Sequence, residues 1–303
     1  MAYKPISDYG VIGDMRSAAL VSRDGSIDWF CFPRFDSPSV FAALLDHEKG
    51  GRFQMRPAGD FSSQQAYLTD TNVLQTQFDA PGGRLLLTDF MPSVNGHGGD
   101  GSSLVRHLRC ESGSVDVAVA YQPRLDYARG RTELTVSDGG MLASNGDQVV
   151  SLATDLPLEQ RDGGLHGIVH LRAGESAAVT MRWGDERPAG AIAREAAAQM
   201  EETVRFWRSL SDDWGYTGRW AEMVKRSMLA LHLLIYEPTG AVCAAATTSL
   251  PERIGGERNW DYRFSWLRDA AFTMDAFHRL GHTTLHTAIR RLDDTLHRQR
   301  FGA

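Results

Sequence analysis

The sequence contains no apolar run long enough to cross a membrane. A membrane-spanning helix needs about 20 mostly apolar residues in succession, but the longest candidate, Met228 to Ile235, is interrupted by His232 and followed by Glu237 and Pro238. The N-terminus, MAYKPISDYG, also lacks the apolar centre of a secretion signal. We therefore expect no membrane span, no membrane partner and a cytoplasmic location.

Cysteine is scarce as well. The chain has 3 cysteines, Cys31, Cys110 and Cys243, and they lie far apart in the sequence. An odd number without a CxxC pair indicates no disulfide framework and fits a reducing compartment. The segment Gly10 to Asp14 lacks the G-x-G-x-x-G spacing of a dinucleotide-binding loop. We expect no cofactor.

Basic residues are not in excess. The chain has 32 Lys and Arg against 38 Asp and Glu, which gives a formal net charge of −6. A nucleic-acid-binding protein needs a positive face to contact phosphates. The densest basic stretch, Arg290 to Arg300, also contains Asp293 and Asp294. We therefore expect no nucleic-acid partner.

Short β-rich runs separated by turn residues fill the first part of the chain. Ser17–Ser22 and Ile27–Phe32 flank Asp24-Gly25, a pair that favours the positive φ of a tight hairpin turn. The other runs of this kind are Asn72–Phe78 and Arg84–Phe90, joined by Pro81-Gly82-Gly83, then Leu104–Cys110, Val115–Tyr121, Thr132–Val136, Gln148–Ala153, Ile168–Leu171 and Ala177–Trp183. Many short strands with regular turn signals predict a large antiparallel β-sandwich, which we assign to residues 1–188.

The hydrophobic period changes to that of helices after Pro188. Residues 191–210 are rich in Ala, Glu, Gln and Arg and predict a linker helix, for which we assign residues 189–215. The further predicted helices are Trp220–Tyr236, Phe264–Leu280 and His282–Arg300. Strands followed by helices indicate a β-domain and then an all-α domain, assigned to residues 216–303.

One segment, Gly255 to Asp269, combines aromatic and charged residues in a pattern suited to sugars. Its aromatic residues alternate with charged ones, so an extended backbone would place the two kinds on opposite sides. Aromatic faces pack against the C–H faces of pyranose rings, and carboxylates and guanidinium groups bind hydroxyls. Arg268 and Asp269 fall in the first turn of a predicted helix, where the helix dipole favours a carboxylate. The alternative is a buried aromatic cluster with an Arg–Asp ion pair that fixes the start of the helix.

The same segment resembles the opening of the catalytic domain in glycoside hydrolase family 15, the glucoamylase and trehalase-like group. The family pattern is close to NWDYRYCWLRDA, and residues 259–270 read NWDYRFSWLRDA, with Phe264 and Ser265 in place of Tyr and Cys. The N-terminal motifs ISDYGVIGD from Ile6, DGSIDW from Asp24 and PRFDSP from Pro33 resemble bacterial members. The likeness extends over residues 3–280.

The resemblance implies a fold, a reaction and a set of site residues. The fold is a β-sandwich followed by an (α/α)6 barrel, and the reaction is inverting hydrolysis of an α-glucosidic bond. The positions that match Trp266, Arg268 and Asp269 hold the glucose at the cleavage subsite, and Trp260 and Tyr262 are expected to shape the same pocket. The expected ligands are α-linked glucosides.

The resemblance also implies that no catalytic residue lies in this chain. Inverting hydrolysis needs an acid and a base, roughly 6.5–9.5 Å apart, and in the family both are glutamates from later barrel loops, expected beyond Ala303. Glu252 and Glu257 match neither. We therefore expect a C-terminally truncated, incomplete barrel that is inactive alone, with β-rich residues 1–188 folding independently.

Three alternatives remain open at this stage. His278, His282 and His286 have a spacing that could bind a metal, but Gly281 interrupts it and we expect no metal site. Arg34 could reach the sugar pocket. The chain could also be a non-catalytic sugar-binding or interaction remnant. Because the barrel is expected to be incomplete, the helical stripe of Val224, Met228, Leu231 and Ile235 is expected to be exposed. The chain could therefore self-associate through its helical surface.

Overall fold

The computed structural model describes residues 3–92, 102–137, 140–184, 192–212, 214–248 and 256–281. The strands are β1 Tyr9–Gly13, β2 Ala18–Ser22, β3 Ser26–Cys31, β4 Ser39–Phe41, β5 Arg52–Pro57, β6 Ser62–Tyr67, β7 Leu74–Ala80, β8 Gly83–Phe90, β9 Ser103–Gln122, β10 Glu133–Ser137, β11 Gly140–Asn145, β12 Gln148–Thr154, β13 Glu159–Arg161, β14 Gly164–Arg172, β15 Ser176–Trp183, β16 Ile235–Tyr236 and β17 Ala241–Val242. The helices are α1 Ile192–Ser211, α2 Ala221–Leu233 and α3 Leu267–Arg279.

Strands β1–β15 form two antiparallel layers that share the long strand β9. The first half of β9 pairs with β8 and β15, in the layer β6-β7-β8-β9-β15-β12-β11-β10. The second half pairs with β5 and β14, in the layer β1-β2-β3-β5-β9-β14. Gly113, at φ 64°, lies where β9 passes from one layer to the other. The predicted β-sandwich is confirmed, but Leu104–Cys110 and Val115–Tyr121 belong to one strand.

The first hydrophobic core lies between the two layers. It contains Phe30 and Phe53 from one layer and Phe78 and Leu152 from the other, all fully or almost fully buried. One ion pair is buried with them: Arg106 Nε donates to Asp89 Oδ1 at 2.7 Å, and Arg106 also donates to backbone carbonyls of the facing layer. Such a pair is tolerated because each buried donor has an acceptor.

Both predicted hairpins are confirmed. β2 and β3 are joined by a turn with Gly25 at φ 73°, and β7 and β8 are joined at residues 81–82. In contrast, β6 was not predicted, because its sequence SSQQAY has almost no apolar residues and lies half-exposed at an edge of its layer.

A second hydrophobic core joins the helices to the sandwich. Helix α1 packs across β15 and β9, with Trp207 buried against residues such as Phe90, Val105 and Ala178. Helix α2 adds Met228 to the same core. The helices therefore cover one outer face of the sandwich, and no helix among the described residues is long and apolar enough to cross a membrane.

The structure corrects the predicted helices in two places. The second helix ends at Leu233 instead of Tyr236, because Ile235 and Tyr236 pair with β17 as strand β16. The third begins at Leu267 instead of Phe264, and it ends before Gly281 as predicted. The predicted helix His282–Arg300 lies outside the described residues.

The predicted exposure of one helical stripe is wrong. Met228 and Ile235 are buried in the second core, and Val224 and Leu231 pack against it. Other large apolar side chains of this part of the chain are exposed: Tyr216, Trp220, Met223, Trp260, Phe264, Leu267 and Phe272.

Candidate functional site

The sugar-binding segment predicted from the sequence forms a short antiparallel pair with residues 243–248. Isolated bridges join Cys243 to Ser265 and Thr248 to Asp261. Between them, the Ala245 amide donates to the carbonyl of Tyr262 at 2.8 Å. Between the two bridges, however, residues 262–263 form a turn and Phe264 a bend, so the extended backbone expected from the alternation of residues is not continuous.

Three aromatic side chains of this segment lie together. The rings of Tyr262 and Trp266 stack with centroids 5.2 Å apart and an interplanar angle of 29°. Trp260 meets the edge of Trp266 at 6.5 Å, and it is 53% exposed. We call Trp260, Tyr262 and Trp266 the aromatic platform. Trp266 Nε1 donates to the carbonyl of Asp261 at 3.3 Å, which fixes the ring. The platform is partly open to solvent and is not the buried cluster of the alternative interpretation.

Arg268 and Asp269 lie directly after the platform, in the first turn of α3. Arg268 Nη2 and Asp269 Oδ2 are 3.2 Å apart, and the two side chains are 67% and 31% exposed. No further side-chain bond of either residue is present among the described residues. The Asp269 carboxylate therefore keeps lone pairs that can accept hydrogen bonds from hydroxyl groups. The helix dipole favours a negative charge at this position.

Arg263 connects the segment to the β-sandwich, and its role was missed by the sequence reasoning. Its buried guanidinium donates to the Asp261 carboxylate, with Nη2 to Oδ2 at 2.6 Å. Its Nη1 donates to the carbonyls of Ser37 at 2.8 Å and Phe35 at 3.3 Å, and lies 3.2 Å from the Cys31 sulfur. The sequence carries no direct signal for this role, because Arg263 lies in a turn, where the alternation of a strand does not hold.

The charge of Asp261 depends on this contact. Partial burial works to raise the pKa of Asp261, but the hydrogen bonds from the Arg263 side chain and backbone outweigh it and hold the pKa below its usual value. A second anchor lies nearby, where Trp29 Nε1 donates to the carbonyl of Ala246 at 2.9 Å. The β-sandwich thus holds both strands of the segment.

The turn at residues 34–36 faces the same segment across a cleft of about 280 Å³. Arg34 and Asp36 form an ion pair on its rim, with Nε and Oδ1 3.0 Å apart. Phe264 and Ser265 line the opposite side. Arg34 therefore lies close to the predicted segment, although on the cleft and not on the aromatic platform.

The remaining candidates lie apart or outside the described residues. Glu257 is exposed, and Glu252 is not among the described residues. His278 is exposed near the end of α3, while His282 and His286 are not described. Within the described ranges, no group of three or more His, Cys, Asp or Glu side chains could hold a metal ion.

Comparison with known proteins gives consistent matches along the chain. The family model "Trehalase-like, N-terminal" matches residues 2–207, and "Glycosyl hydrolases family 15" matches residues 218–300. The chain is 35% identical over 283 residues to a trehalase of Thermoplasma volcanium, covering 92% of this chain and 45% of that protein. It is 34% identical over 304 residues to a trehalase of Mycolicibacterium smegmatis, with the same coverage of 92% and 45%.

The fold is also similar to a solved structure. A bacterial glucoamylase complexed with acarbose matches 96% of this chain and 50% of its own, with a TM-score of 0.62 and 15% sequence identity. At that identity the match concerns the fold alone. The chain thus spans about half the length of the proteins that it matches.

Proposed function

Since the chain belongs to the trehalase-like members of glycosyl hydrolase family 15, we propose that it is the sugar-binding half of an enzyme that hydrolyses α-glucosidic bonds. The two trehalases reported above favour trehalose as the substrate, ahead of maltose or isomaltose. The chain spans 45% of the length of each of them, so the proposal concerns a protein of the relatives' length.

The proposal rests on one observation: the aromatic platform is followed in the chain by Asp269, whose carboxylate is partly exposed. The stacked rings of Tyr262 and Trp266 present an apolar face, and Asp269 at the start of α3 has free lone pairs. A pyranose ring has the complementary arrangement, with C–H groups on its faces and hydroxyls at its edge. Arg268, Asp269, Trp260, Tyr262 and Trp266 would bind and orient the glucosyl unit.

Bond cleavage in this proposal is a general acid–base reaction. One carboxylic acid protonates the leaving oxygen, and one carboxylate takes a proton from the attacking water on the opposite face of the ring. Both groups would come from a part of the protein outside residues 1–303. The residues of this chain keep the glucosyl unit in place while the bond breaks, and the reaction requires no cofactor.

The proposal is tested by Asp269→Asn in a protein of the relatives' length. The change keeps the shape but removes the charge, and each hydrogen bond to a charged group contributes about 1.5–3 kcal/mol. We expect kcat/KM for trehalose to fall at least about tenfold. The melting temperature should fall only slightly, because among the described residues the Asp269 side chain bonds only to its exposed neighbour Arg268, and the loss of a charge in the first turn of a helix costs about 0.3–1 kcal/mol.

The matched control is Asp275→Asn. Asp275 lies on the same helix, is 53% exposed and pairs with Arg279 at 2.7 Å, so its loss should leave kcat/KM unchanged. A lower melting temperature with normal kinetics for Asp269→Asn would show that this residue is structural.

The 303-residue chain alone should release no glucose above a mock preparation. Turnover that is lost in Glu257→Gln or Glu252→Gln would contradict our placement of the catalytic carboxylates.

We further propose a cytoplasmic location, supported by the cysteines. Cys31, Cys110 and Cys243 are all free and buried. Burial raises the pKa of Cys31 and of Cys243 to about 12, so both remain uncharged thiols at neutral pH. Structural thiols of this kind are typical of a reducing compartment.

A further inference from the structure

We propose that the cleft between strand β10 and the β13–β14 turn, here called the edge cleft, binds an extended acidic segment of a partner protein. The segment would add a strand to β10 and place its carboxylates against three cationic side chains. This inference is independent of the proposed sugar site, because no residue that lines the edge cleft belongs to the aromatic platform or to α3.

Strand β10 has an unpaired outer side. Among the described residues it pairs only with β11, and it lies at the end of its layer. In an antiparallel strand, every second residue directs its N–H and C=O groups away from the paired neighbour. No backbone group of β10 bonds to another segment within the described ranges. The outer side of β10 can therefore pair with a further strand.

The sequence of β10 does little to prevent such pairing. Natural edge strands are often protected by lysine, by proline or by a bulge. The sequence of β10, ELTVS, contains neither lysine nor proline, and its pairing with β11 has no register shift. Glu133 is its only charged residue, while Thr135 and Val136 are β-branched and favour a strand.

A cleft of about 910 Å³ borders this strand. Residues 131–135 form one wall, and Gln160 of β13 and Gly163 of the β13–β14 turn lie on another. No residue of β11, which is described throughout, lines the cleft, so it lies on the open side of β10. In the described structure β13 pairs only with β14. The edge cleft therefore lies where both layers of the sandwich end.

Three cationic side chains of the edge cleft lack a carboxylate partner. Lys49, Arg124 and Arg131 line it, and none of them forms an ion pair with another described residue. The acidic residues of the lining are Glu48 and Glu133. Positive charge is thus in excess here, although the whole chain has a formal net charge of −6. This local charge is complementary to an acidic partner.

Arg124 is held in place by carbonyl oxygens. Its Nη1 donates to Gly163 at 2.7 Å and to Pro123 at 2.8 Å, and its Nη2 donates to Asp162 at 3.4 Å. Partial burial lowers the pKa of Arg124, and no described carboxylate opposes this effect. The carbonyls leave part of a guanidinium with five N–H donors unused. A carboxylate in the edge cleft would supply the missing negative charge.

An extended acidic peptide uses both features of the edge cleft. Its backbone can pair with β10, and its side chains alternate, so that every second one faces the same wall. A small anion would meet the cations but leave the edge of β10 unpaired. A second copy of this chain, paired through β10, would bring the same excess of cations to the interface. The charge therefore favours a different, acidic partner.

The experiment is a fluorescence-anisotropy titration of the 303-residue chain with the labelled peptide VEVDVEV. We expect a micromolar Kd that rises at least about tenfold when salt is raised from about 50 mM to about 500 mM, because salt screens exposed charges. The peptide VKVKVKV, with lysine in place of each acid, should not bind. Binding of both peptides with similar Kd would contradict the charge complementarity.

Backbone pairing is tested with two N-methylated forms of VEVDVEV. Each form carries N-methyl groups on alternate residues, so the two forms together block the N–H groups on both edges of the peptide. At least one form should raise the Kd about tenfold or more, because it removes the hydrogen bonds to β10. If both forms bind like the unmodified peptide, strand addition is refuted and the cleft binds anions of any shape.

A double variant of the lining has a matched control. Lys49→Gln combined with Arg131→Gln should raise the Kd at least about tenfold, since it removes two unpaired charges from the cleft. Arg109→Gln combined with Arg172→Gln removes the same charge from exposed positions on β9 and β14, outside the cleft, and should leave the Kd unchanged. All four side chains are exposed, so the fold should persist in both variants.

The remaining outcomes each decide against the inference. No binding of VEVDVEV, or equal effects of the double variant and its control, would overturn it. Sedimentation velocity of the 303-residue chain gives a further test. A dimer that the double variant abolishes and that the peptide does not dissociate would assign the edge of β10 to a second copy instead of an acidic partner.

Discussion

Among single residues, Arg263 contributes most to placing the candidate site. It is buried, it belongs to the segment that carries the aromatic platform, and all its partners except Asp261 lie in or next to the β-sandwich. Removing the guanidinium would leave the carbonyls of Phe35 and Ser37 and the carboxylate of Asp261 without these hydrogen-bond donors. Arg268, five residues further along, is exposed, and within the described part of the chain its side chain bonds only to Asp269.

These two arginines therefore give a matched pair of substitutions. We expect Arg263→Met to lower the free energy of unfolding by about 3–5 kcal/mol, because it leaves a partly buried charge unpaired. Arg268→Met should change it by less than about 1 kcal/mol. Urea unfolding followed by circular dichroism measures both. Equal effects of the two substitutions would contradict the anchoring role of Arg263.

The lowered pKa of Asp261 has a consequence for stability at acid pH. A carboxyl group whose pKa is lower in the folded chain stabilises the fold above its unfolded pKa of about 3.9, and this contribution is lost as the pH falls through the folded pKa. We expect Asp261→Asn to be less stable than the wild type at neutral pH, by a difference that shrinks below about pH 3.9. Thermal unfolding across this range measures it.

The control for this prediction is the Arg263→Met background. Without the guanidinium, the Asp261 carboxylate loses the side-chain hydrogen bonds that lower its pKa and keeps only the bond from the backbone amide of residue 263. Asp261→Asn should then no longer destabilise the fold at neutral pH, because the charge that it removes has no guanidinium partner. A stability difference between Asp261→Asn and the wild type that stays constant with pH would refute the assignment of the pKa shift to this pair.

At the scale of secondary-structure elements, β9 holds the two layers of the sandwich together. Its two halves pair in different layers, and the change occurs at Gly113. A Cβ at Gly113 would lie 2.1 Å from the carbonyl oxygen of Gly82, and the positive φ there is unfavourable for other residues.

We expect Gly113→Ala to destabilise the fold by more than about 2 kcal/mol, since the steric clash adds to about 1–2 kcal/mol for the left-handed backbone. Gly146 is a suitable comparison: its φ is 57°, and a Cβ there would meet no atom within 4 Å. Gly146→Ala should therefore cost only the backbone term, about 1–2 kcal/mol. Urea unfolding measures both, and equal losses would argue against the bend at Gly113.

Elements with local signals could be predicted from the sequence, and elements fixed by distant partners could not. The β2–β3 hairpin was predictable because Asp24-Gly25 encodes its turn. The end of α2 was not, because Ile235 leaves the helix to pair with Val242. At the site, the aromatic residues at 260, 262 and 266 indicated the aromatic platform, although a turn and a bend at residues 262–264, and not an extended strand, bring them together. The partners of Arg263 could not be predicted, because they lie 226 to 232 residues away in the chain.

For the whole molecule, the second hydrophobic core changes the expectation that residues 1–188 fold alone. Trp207 and Met228 share this core with Phe90, Val105 and Ala178 of the sandwich, and α1 packs on β15 and β9. Self-association through helical surface remains a proposal. It would involve the exposed side chains Leu267, which is 91% exposed, and Phe272, which is 70% exposed, instead of the stripe on α2.

We therefore expect a chain that ends at Pro188 to associate and to bind a hydrophobic dye, because it exposes this face of the sandwich. A chain that ends at Asp212 retains α1 with Trp207 and should bind less dye. Sedimentation velocity and dye fluorescence distinguish them. A monomeric chain 1–188 that binds no dye would show that the sandwich needs no helices.

The contact between Arg263 and Cys31 can form only late during synthesis of this chain. The two residues are 232 positions apart, and ribosomes add about 5–20 residues per second, so Arg263 is made roughly 12–46 s after Cys31. During that interval the nascent sandwich lacks the guanidinium that binds the loop at residues 31–37, and it lacks the Ala246 carbonyl that accepts a hydrogen bond from the Trp29 indole. The Cys31 thiol and the Ser37 carbonyl therefore stay without this partner while 232 and 226 further residues, respectively, are added to the chain.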